Sequence, residues 1–367
     1  MAKQSDAPIT SVAVSAYRIP TAAPESDGTM EWDATTLVLV TVEAASKTGL
    51  GYSYADRGAA VVVHDLLAEV LQGRDAFDIP GCWAAMVQRV RNIGRPGSAS
   101  MAISACDAAL HDLKAKLLDV PLARLLGQSH DSVALYGSGG FTSMSETELC
   151  EQLTGWAEEG FKAVKMKIGR EPEQDEERVK LARHAIGKDV ALFVDANGAY
   201  SRKQALGMAE SFAKLGVTWF EEPVSSNDLD GLRLLRDRAP AGIDITAGEY
   251  GYDSGYFRRM LAAGAVDVLQ ADATRCAGIT GFMKADALTD AFEVPLSSHT
   301  APNLHLACCC AAHRVQNMEW FFDHVRIENM LFDGAVQPQD GRLAPNLDRP
   351  GLGVDFKQSD AERFLVS

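Results

Sequence analysis

The chain contains no C-x-x-C pair and no apolar run approaching the about 18 uninterrupted residues that a membrane-spanning helix needs. It has no surplus of basic residues either. Lys and Arg number 35 against 50 Asp and Glu, a net charge of −15. That balance argues against nucleic acid or an anionic membrane as a partner, since both recruit basic patches. An anionic substrate would have to be drawn in by a local cation rather than by the overall field. Residues 1–6 lack the apolar stretch of a signal peptide, so a cytoplasmic location is expected. The seven cysteines are odd in number. Cys308, Cys309 and Cys310 sit together in the apolar run 304–312, where a thiolate metal cluster is one reading. Adjacent residues point in different directions on a helix, which favours small core side chains in a reducing compartment.

What is present describes an ordinary globular protein, with 47% apolar and 23% charged residues. A length of 367 residues suits a barrel of about 250 residues plus a smaller domain. Segments 12–19 and 36–42 are rich in β-branched residues, and helical patterns follow at 61–72, 83–92 and 98–118. This order predicts an α+β capping domain over residues 1–127, completed by the Pro-, Gly- and Asn-rich tail 343–367. Over 128–342, short apolar strands alternate with amphipathic helices. The expected strands are 133–138, 163–167, 191–195, 219–221, 243–247, 266–272, 294–299 and 318–320. Eight such strands read as α/β architecture, a modified TIM barrel.

Lys167, Asp195, Glu221, Glu249, Asp272, His299 and Glu319 recur at steps of 28, 26, 28, 23, 27 and 20 residues. One βα unit occupies about that length, so a charge falls at the end of each successive strand. In a parallel barrel those ends converge on one mouth, where the chemistry of such folds is done. A lone strand-end acid commonly caps a helix or pairs with an Arg. Three in succession, Asp195, Glu221 and Glu249, would repel one another unless a cation sat among them, and all-oxygen ligation selects a hard divalent ion such as Mg²⁺. Glu222 should point away from that ion and support its ligands.

Lys165 and Lys167 alternate with Val164, Met166 and Ile168 and therefore share the inner face of their strand. Two ammonium groups beside a divalent ion should depress one another's pKa, making Lys167 a competent base and leaving Lys165 to neutralise a substrate carboxylate. His299 with Asp272 as its partner forms a second candidate base. A protonated Glu319 would donate a hydrogen bond to a developing oxyanion. Together these groups suggest removal of a proton next to a carboxylate, by Lys167 or His299, with the enediolate held by metal, Lys165 and Glu319.

The motifs Lys165-Met-Lys167, Val194-Asp195-Ala-Asn197, Glu221-Glu222-Pro223, Gly248-Glu249, Asp272, Ser297-Ser298-His299 and Glu319 resemble those of the enolase superfamily, mandelate racemase subgroup. The likeness covers essentially the whole chain. It implies a (β/α)₇β barrel with an N-terminal cap, Mg²⁺ on Asp195, Glu221 and Glu249, and Lys167 and the His299–Asp272 dyad on opposite faces of the substrate. It also implies a homo-oligomer, dimer or octamer. Branches with a Lys past the sixth strand and an Asp as third ligand are disfavoured, because Arg275 and Glu249 stand there. Relatives of this kind either dehydrate a sugar acid to a 2-keto-3-deoxy acid or racemise a 2-hydroxy acid. Lid segments 21–32 and 52–57 carry Glu25, Ser26, Asp27, Glu31, Asp56 and Arg57, a polarity that favours the sugar acid. Tyr54 and Trp32 could instead line an aromatic pocket. Asn197, Tyr54, Ser138 and, more weakly, Tyr136 are the expected substrate contacts.

Overall fold

The computed structural model describes residues 7–366, so the leader reading of residues 1–6 lies outside it. An antiparallel meander opens the chain: β1 (Ser11–Ser26), β2 (Glu31–Ala44) and β3 (Lys47–Tyr54). The helix Ser98–Leu117 lies on β3 through its alanine face. Gly51 makes this approach possible, since a Cβ there would stand 2.2 Å from the carbonyl oxygen of Ala105. The pattern at 61–72 forms a helix with a π-helical turn, Val63–Leu67, between two α-helical pieces, and the pattern at 83–92 begins earlier, as Ile79–Arg89.

Segment 21–32, expected as a loop, is mostly strand. β1 and β2 keep pairing past an irregularity between Pro20 and Glu25, leaving a short tip at 27–30. Pro20 is tolerated because, among the described residues, no strand pairs with the other edge of β1 at that level. The tip is docked on the barrel. The Thr142 amide donates to the Ser26 carbonyl (2.8 Å), and a Cβ on Gly28 would meet the carbonyls of Ala196 and Ile168 at 2.5 and 2.7 Å.

The remainder is a closed parallel barrel. Its strands are β4 (Val133–Gly139), β5 (Ala163–Lys167), β6 (Ala191–Asp195), β7 (Val217–Glu221), β8 (Asp244–Ala247), β9 (Val268–Ala271), β10 (Leu296–Ser298) and β11 (Val315–Phe321). They neighbour one another in sequence order, and β11 closes on β4 through Glu319↔Tyr136. Alternation sorts each strand into two faces. Val164, Met166, Leu192, Val194 and Phe220 join the apolar layer under the helices, while Tyr136, Phe193, Trp219 and Val268 form a separate plug inside the ring. Phe193 and Trp219 stack with centroids 4.8 Å apart. Two residues further along the same inward face lie Ser138, Asp195 and Glu221. The plug therefore seals the barrel below its charged mouth.

After β11 the helix Phe322–Leu331 leads to β12 (Phe332–Asp333), β13 (Arg342–Leu343), which pairs with β4, and β14 (Asp355–Phe356), which pairs with β12. The last strand, β15 (Leu365–Val366), pairs with β1. Cys308, Cys309 and Cys310 are buried on the helix Pro302–Ala311, and burial pushes the Cys310 thiol up to about 12. Among the described residues no helix is long and apolar enough to cross a membrane.

Candidate active site

The side chains of Asp195, Glu221 and Glu249 converge at the mouth, each offering an oxygen within 4.8 Å of the others. Asp195 and Glu221 are the last residues of adjacent strands and pair in register. Glu249 reaches the same point through Gly248, whose φ of +141° and 2.0 Å clearance to the Gln270 carbonyl admit no side chain. All three acids are buried, and Glu249 Oε2 has no hydrogen-bond partner. Six carboxyl groups (these three, Glu222, Asp272 and Glu319) face three cationic side chains, Lys165, Lys167 and Arg275. Burial and the Asp195 charge, opposed by Lys165, push Glu221 up to about 7. A carboxylate oxygen that no donor hydrogen-bonds, a negative excess and an all-oxygen donor set fit a hard divalent cation.

Both lysines face this group. Lys167 Nζ lies 2.5 Å from Asp195 Oδ2. Lys165 Nζ lies 2.7 Å from Glu221 Oε2, 2.9 Å from Glu319 Oε1 and 3.6 Å from Asp195 Oδ2. The expected depression of their pKa is not what the protein's own charges produce. Burial lowers both, but Glu221 and Glu319 around Lys165, and Asp195 beside Lys167, outweigh it and raise both above the ordinary lysine range. Lys165 is the residue expected to meet the substrate carboxylate. It is completely buried above the Tyr136 ring and neutralises protein carboxylates.

Across the ring, His299 Nδ1 bonds Asp272 Oδ2 at 2.8 Å, and its Nε2 lies 3.4 Å from Glu249 Oε2. Asp272 Oδ1 accepts the Thr274 amide at 2.6 Å, which fixes the carboxylate plane. Burial raises Asp272, but the His299 bond and charge hold it well below the usual carboxylate range. Glu319, the expected hydrogen-bond donor to an oxyanion, is set among cations. Burial pushes it up, while Lys165, His299 and Lys167 hold it well below the carboxylate range. It accepts from Ser138 Oγ (2.6 Å) and the Thr300 amide (2.8 Å). With both oxygens accepting, it anchors Lys165 and the backbone after His299.

A cavity of about 400 Å³ opens above these groups, lined from below by Lys167, Asn197, Glu249, Arg275, His299 and Glu319. Tyr54, Trp32, Asp27 and Asp56 line it from the cap. Ser138 does not reach it, being buried with its hydroxyl committed to Glu319, and Tyr136 is buried below Lys165. Glu25 is also withdrawn. The Trp32 Nε1–H donates to it at 2.9 Å, and burial together with Asp323 pushes its carboxyl up to about 8. Glu222, at φ +37°, lines a larger neighbouring cavity of about 610 Å³.

Two further residues line the cavity, Arg275 and His324. Arg275 Nη1 lies 3.0 Å from Glu249 Oε1 and its Nε 3.5 Å from Asp272 Oδ2, so it bridges the acid group to the dyad. Its position in the loop after β9 was the only available signal. His324 stacks on Tyr54 with centroids 3.4 Å apart, and burial and His299 depress its pKa far below the ordinary value. Nothing in the sequence marks it.

Residues 9–127 match the mandelate racemase/muconate lactonizing enzyme N-terminal domain, and residues 148–361 match the enolase C-terminal domain-like family. The chain belongs to the mandelate racemase subgroup of the enolase superfamily. A mandelate racemase/muconate lactonizing enzyme-like protein from Rubrobacter xylanophilus is 50% identical, with a TM-score of 0.96 over 98% of this chain and 100% of that one. The L-talarate/galactarate dehydratase of Salmonella typhimurium is 31% identical over 93% of this chain and 87% of its own. An enolase from Bradyrhizobium, solved with magnesium and mandelic acid, is 28% identical, with a TM-score of 0.89 and 100% of both chains covered. The chain is accordingly an enzyme, a lyase or isomerase, and its buried Asp/Glu/Glu group fits the superfamily's magnesium site.

Proposed function

We propose that this enzyme removes the α-proton of a carboxylate substrate in a Mg²⁺-dependent reaction and dehydrates a sugar acid to a 2-keto-3-deoxy acid. The observation that carries the reading is that Lys167 and His299 line one cavity from β5 and from the end of β10. Around the ring these strands are separated by β6–β9 on one side and by β11 and β4 on the other. Two bases therefore approach one substrate from nearly opposite directions.

Asp195, Glu221 and Glu249 would hold Mg²⁺, which supplies the positive charge that stabilises an enediolate. With the Asp195 charge taken up by the ion, the main group that raises Lys167 would be offset, and the neutral amine would take the α-proton from one face. His299, with Nδ1 held by Asp272, presents Nε2 to the other face as base, or in its protonated form as the acid that assists departure of the 3-hydroxyl. Lys165 and Glu319 act from below as a fixed ion pair, and Asn197 and Tyr54 contact the substrate. Glu222 supports the metal ligands from the neighbouring cavity.

The relatives' names include a sugar-acid dehydratase, which supports the lyase reading. The runner-up, a racemase or epimerase of a 2-hydroxy acid, draws support from the same two-sided placement and from the mandelic acid complex of the Bradyrhizobium enolase. Incubating the Mg²⁺-loaded enzyme with a panel of sugar acids and trapping 2-keto acids with semicarbazide separates the two. Exchange of α-protons with D₂O without any keto acid would decide for the racemase.

A further inference from the structure

The charged groups lining the cavity are segregated by depth. Lys167, Arg275 and His299 all lie on the barrel side, next to the carboxylates already described. The cap contributes no Lys or Arg to the lining among the described residues. It contributes two carboxyl side chains, Asp27 and Asp56, with Met30, Trp32, Ala34 and Met101 between them. Asp27 Oδ1 accepts the amides of Thr29 (2.6 Å) and Met30 (2.7 Å), and Asp56 Oδ1 accepts the Gly58 amide (3.0 Å). Neither has a cationic side-chain partner among the described residues. These bonds fix both acids to the cap backbone.

A substrate whose reacting carboxylate sits at the barrel end extends its other end toward this wall. We infer that the substrate is a monocarboxylate with an uncharged, hydroxylated far end, an aldonate-type acid rather than a diacid with a carboxylate at each terminus. A second carboxylate would stand against buried Asp27 and exposed Asp56 with no counter-charge, and like-charge juxtaposition discriminates against it. Hydroxyl groups suit the same wall, because both acids retain acceptor capacity. His324 adds a donor. Its Nδ1 accepts the Ala301 amide at 3.4 Å, so the neutral ring carries its proton on Nε2. The neighbouring cavity does contain one cation, Arg259, but it shares its wall with Glu222 and Asp253.

This inference rests on the α-proton abstraction proposed above, and matched substrate pairs keep the two separable. The Mg²⁺-loaded enzyme is assayed for kcat/KM and α-proton exchange on gluconate with glucarate and on galactonate with galactarate. The monoacid is expected to be favoured at least about tenfold in one pair. Met30→Arg, which places a cation on the cap wall at an exposed position, should cut that preference at least about threefold, and Asp56→Asn, which preserves the helix cap, should cut it in the same direction. Diacids handled as well as their monoacids in both pairs would overturn the inference while leaving the proposed reaction intact, and loss of that diacid activity in Arg259→Met would identify the neighbouring cavity as the reason. Monoacid exchange without keto acid would refute dehydration and support the inference. Exchange with neither class would overturn both.

Discussion

Asp272→Asn tests the two-sided reading most sharply, because it keeps the side chain's shape while removing one charge and reversing one hydrogen bond. Asp272 Oδ2 accepts from His299 Nδ1 at 2.8 Å, and Oδ1 accepts the Thr274 amide at 2.6 Å. An Asn can keep the Thr274 bond through its carbonyl oxygen, but it then presents an NH₂ to His299 Nδ1. The imidazole must accept there, its proton moves to Nε2, and the nitrogen facing the cavity can no longer take a proton. Correct proton placement on a general base is worth about 10²–10⁴ in rate, or roughly 3–5 kcal/mol of barrier. The structural loss is smaller. Arg275 keeps its 3.0 Å contact with Glu249, so removing one charge should cost about 1–2 kcal/mol of stability. The assay is α-proton exchange in D₂O followed by proton NMR for both configurations at the α-carbon. The configuration served by His299 should lose at least about a hundredfold, and that served by Lys167 less than about tenfold. Equal losses on the two sides, or a loss below threefold on the His299 side, would refute the assignment.

Three further outcomes are expected. Glu221→Gln removes a charge that the Lys165 ammonium (2.7 Å) and Trp219 Nε1–H (3.0 Å) orient, and Mg²⁺ affinity by calorimetry should fall at least about a hundredfold; a change below threefold would remove Glu221 from the ligand set. Gly248→Ala places a Cβ 2.0 Å from the Gln270 carbonyl at φ +141°, so thermal denaturation should show a loss of at least about 2 kcal/mol with weakened Mg²⁺ binding, and a wild-type melting temperature would contradict the steric account. Glu25 titrates at about 8 in the folded chain against 4.5 ordinarily, so its stabilising contribution is complete below about pH 4.5 and is lost as pH rises through 8. Glu25→Gln should therefore gain stability relative to the parent across that window, by on the order of a few kcal/mol, in melting curves taken from pH 4.5 to 9, and a pH-independent difference would show that Glu25 is not buried as described.

The charge series was legible because two local rules agreed. An apolar strand with period-two alternation announces itself, and its last inward residue lies at the mouth. Asp195 and Glu221 close their strands as the series predicts, and His299 follows directly on β10. What local rules could not supply was depth along the inner face. Lys165 and Ser138 carry the right chemistry on the right face but sit one layer below the cavity, where Glu319 and Glu221 engage them. Burial by a neighbouring strand is a long-range fact. Segment 21–32 departs in the opposite direction, a lid stretch that pairing on both sides of the irregularity between Pro20 and Glu25 carries into β1 and β2. Arg275 and His324 owe their place to loop and helix paths that no periodicity encodes.

The backbone at the mouth explains why those paths matter. Asn197, Glu222, Thr300 and Ala301 all have positive φ (47°, 37°, 52° and 39°), and each lies one to two residues beyond Asp195, Glu221 or His299. Asn tolerates this region, whereas for a β-branched Thr it is a genuine outlier, and such residues cost about 1–3 kcal/mol each. Strain of that size persists only where surrounding bonds over-determine it. The bonds here run between site segments. The Gly198 amide donates to the Glu222 carbonyl at 2.8 Å, the Thr300 amide to Glu319 at 2.8 Å, and the Ala301 amide to His324 at 3.4 Å. The turns after Asp195 and His299 thus aim amides at groups on neighbouring segments of the site. The strand ends hold one another, and the placement of His299 depends on Glu319 and His324 as much as on its own strand. The regular spacing of the series gives each residue its height at the mouth, while these strained turns set the direction in which it faces.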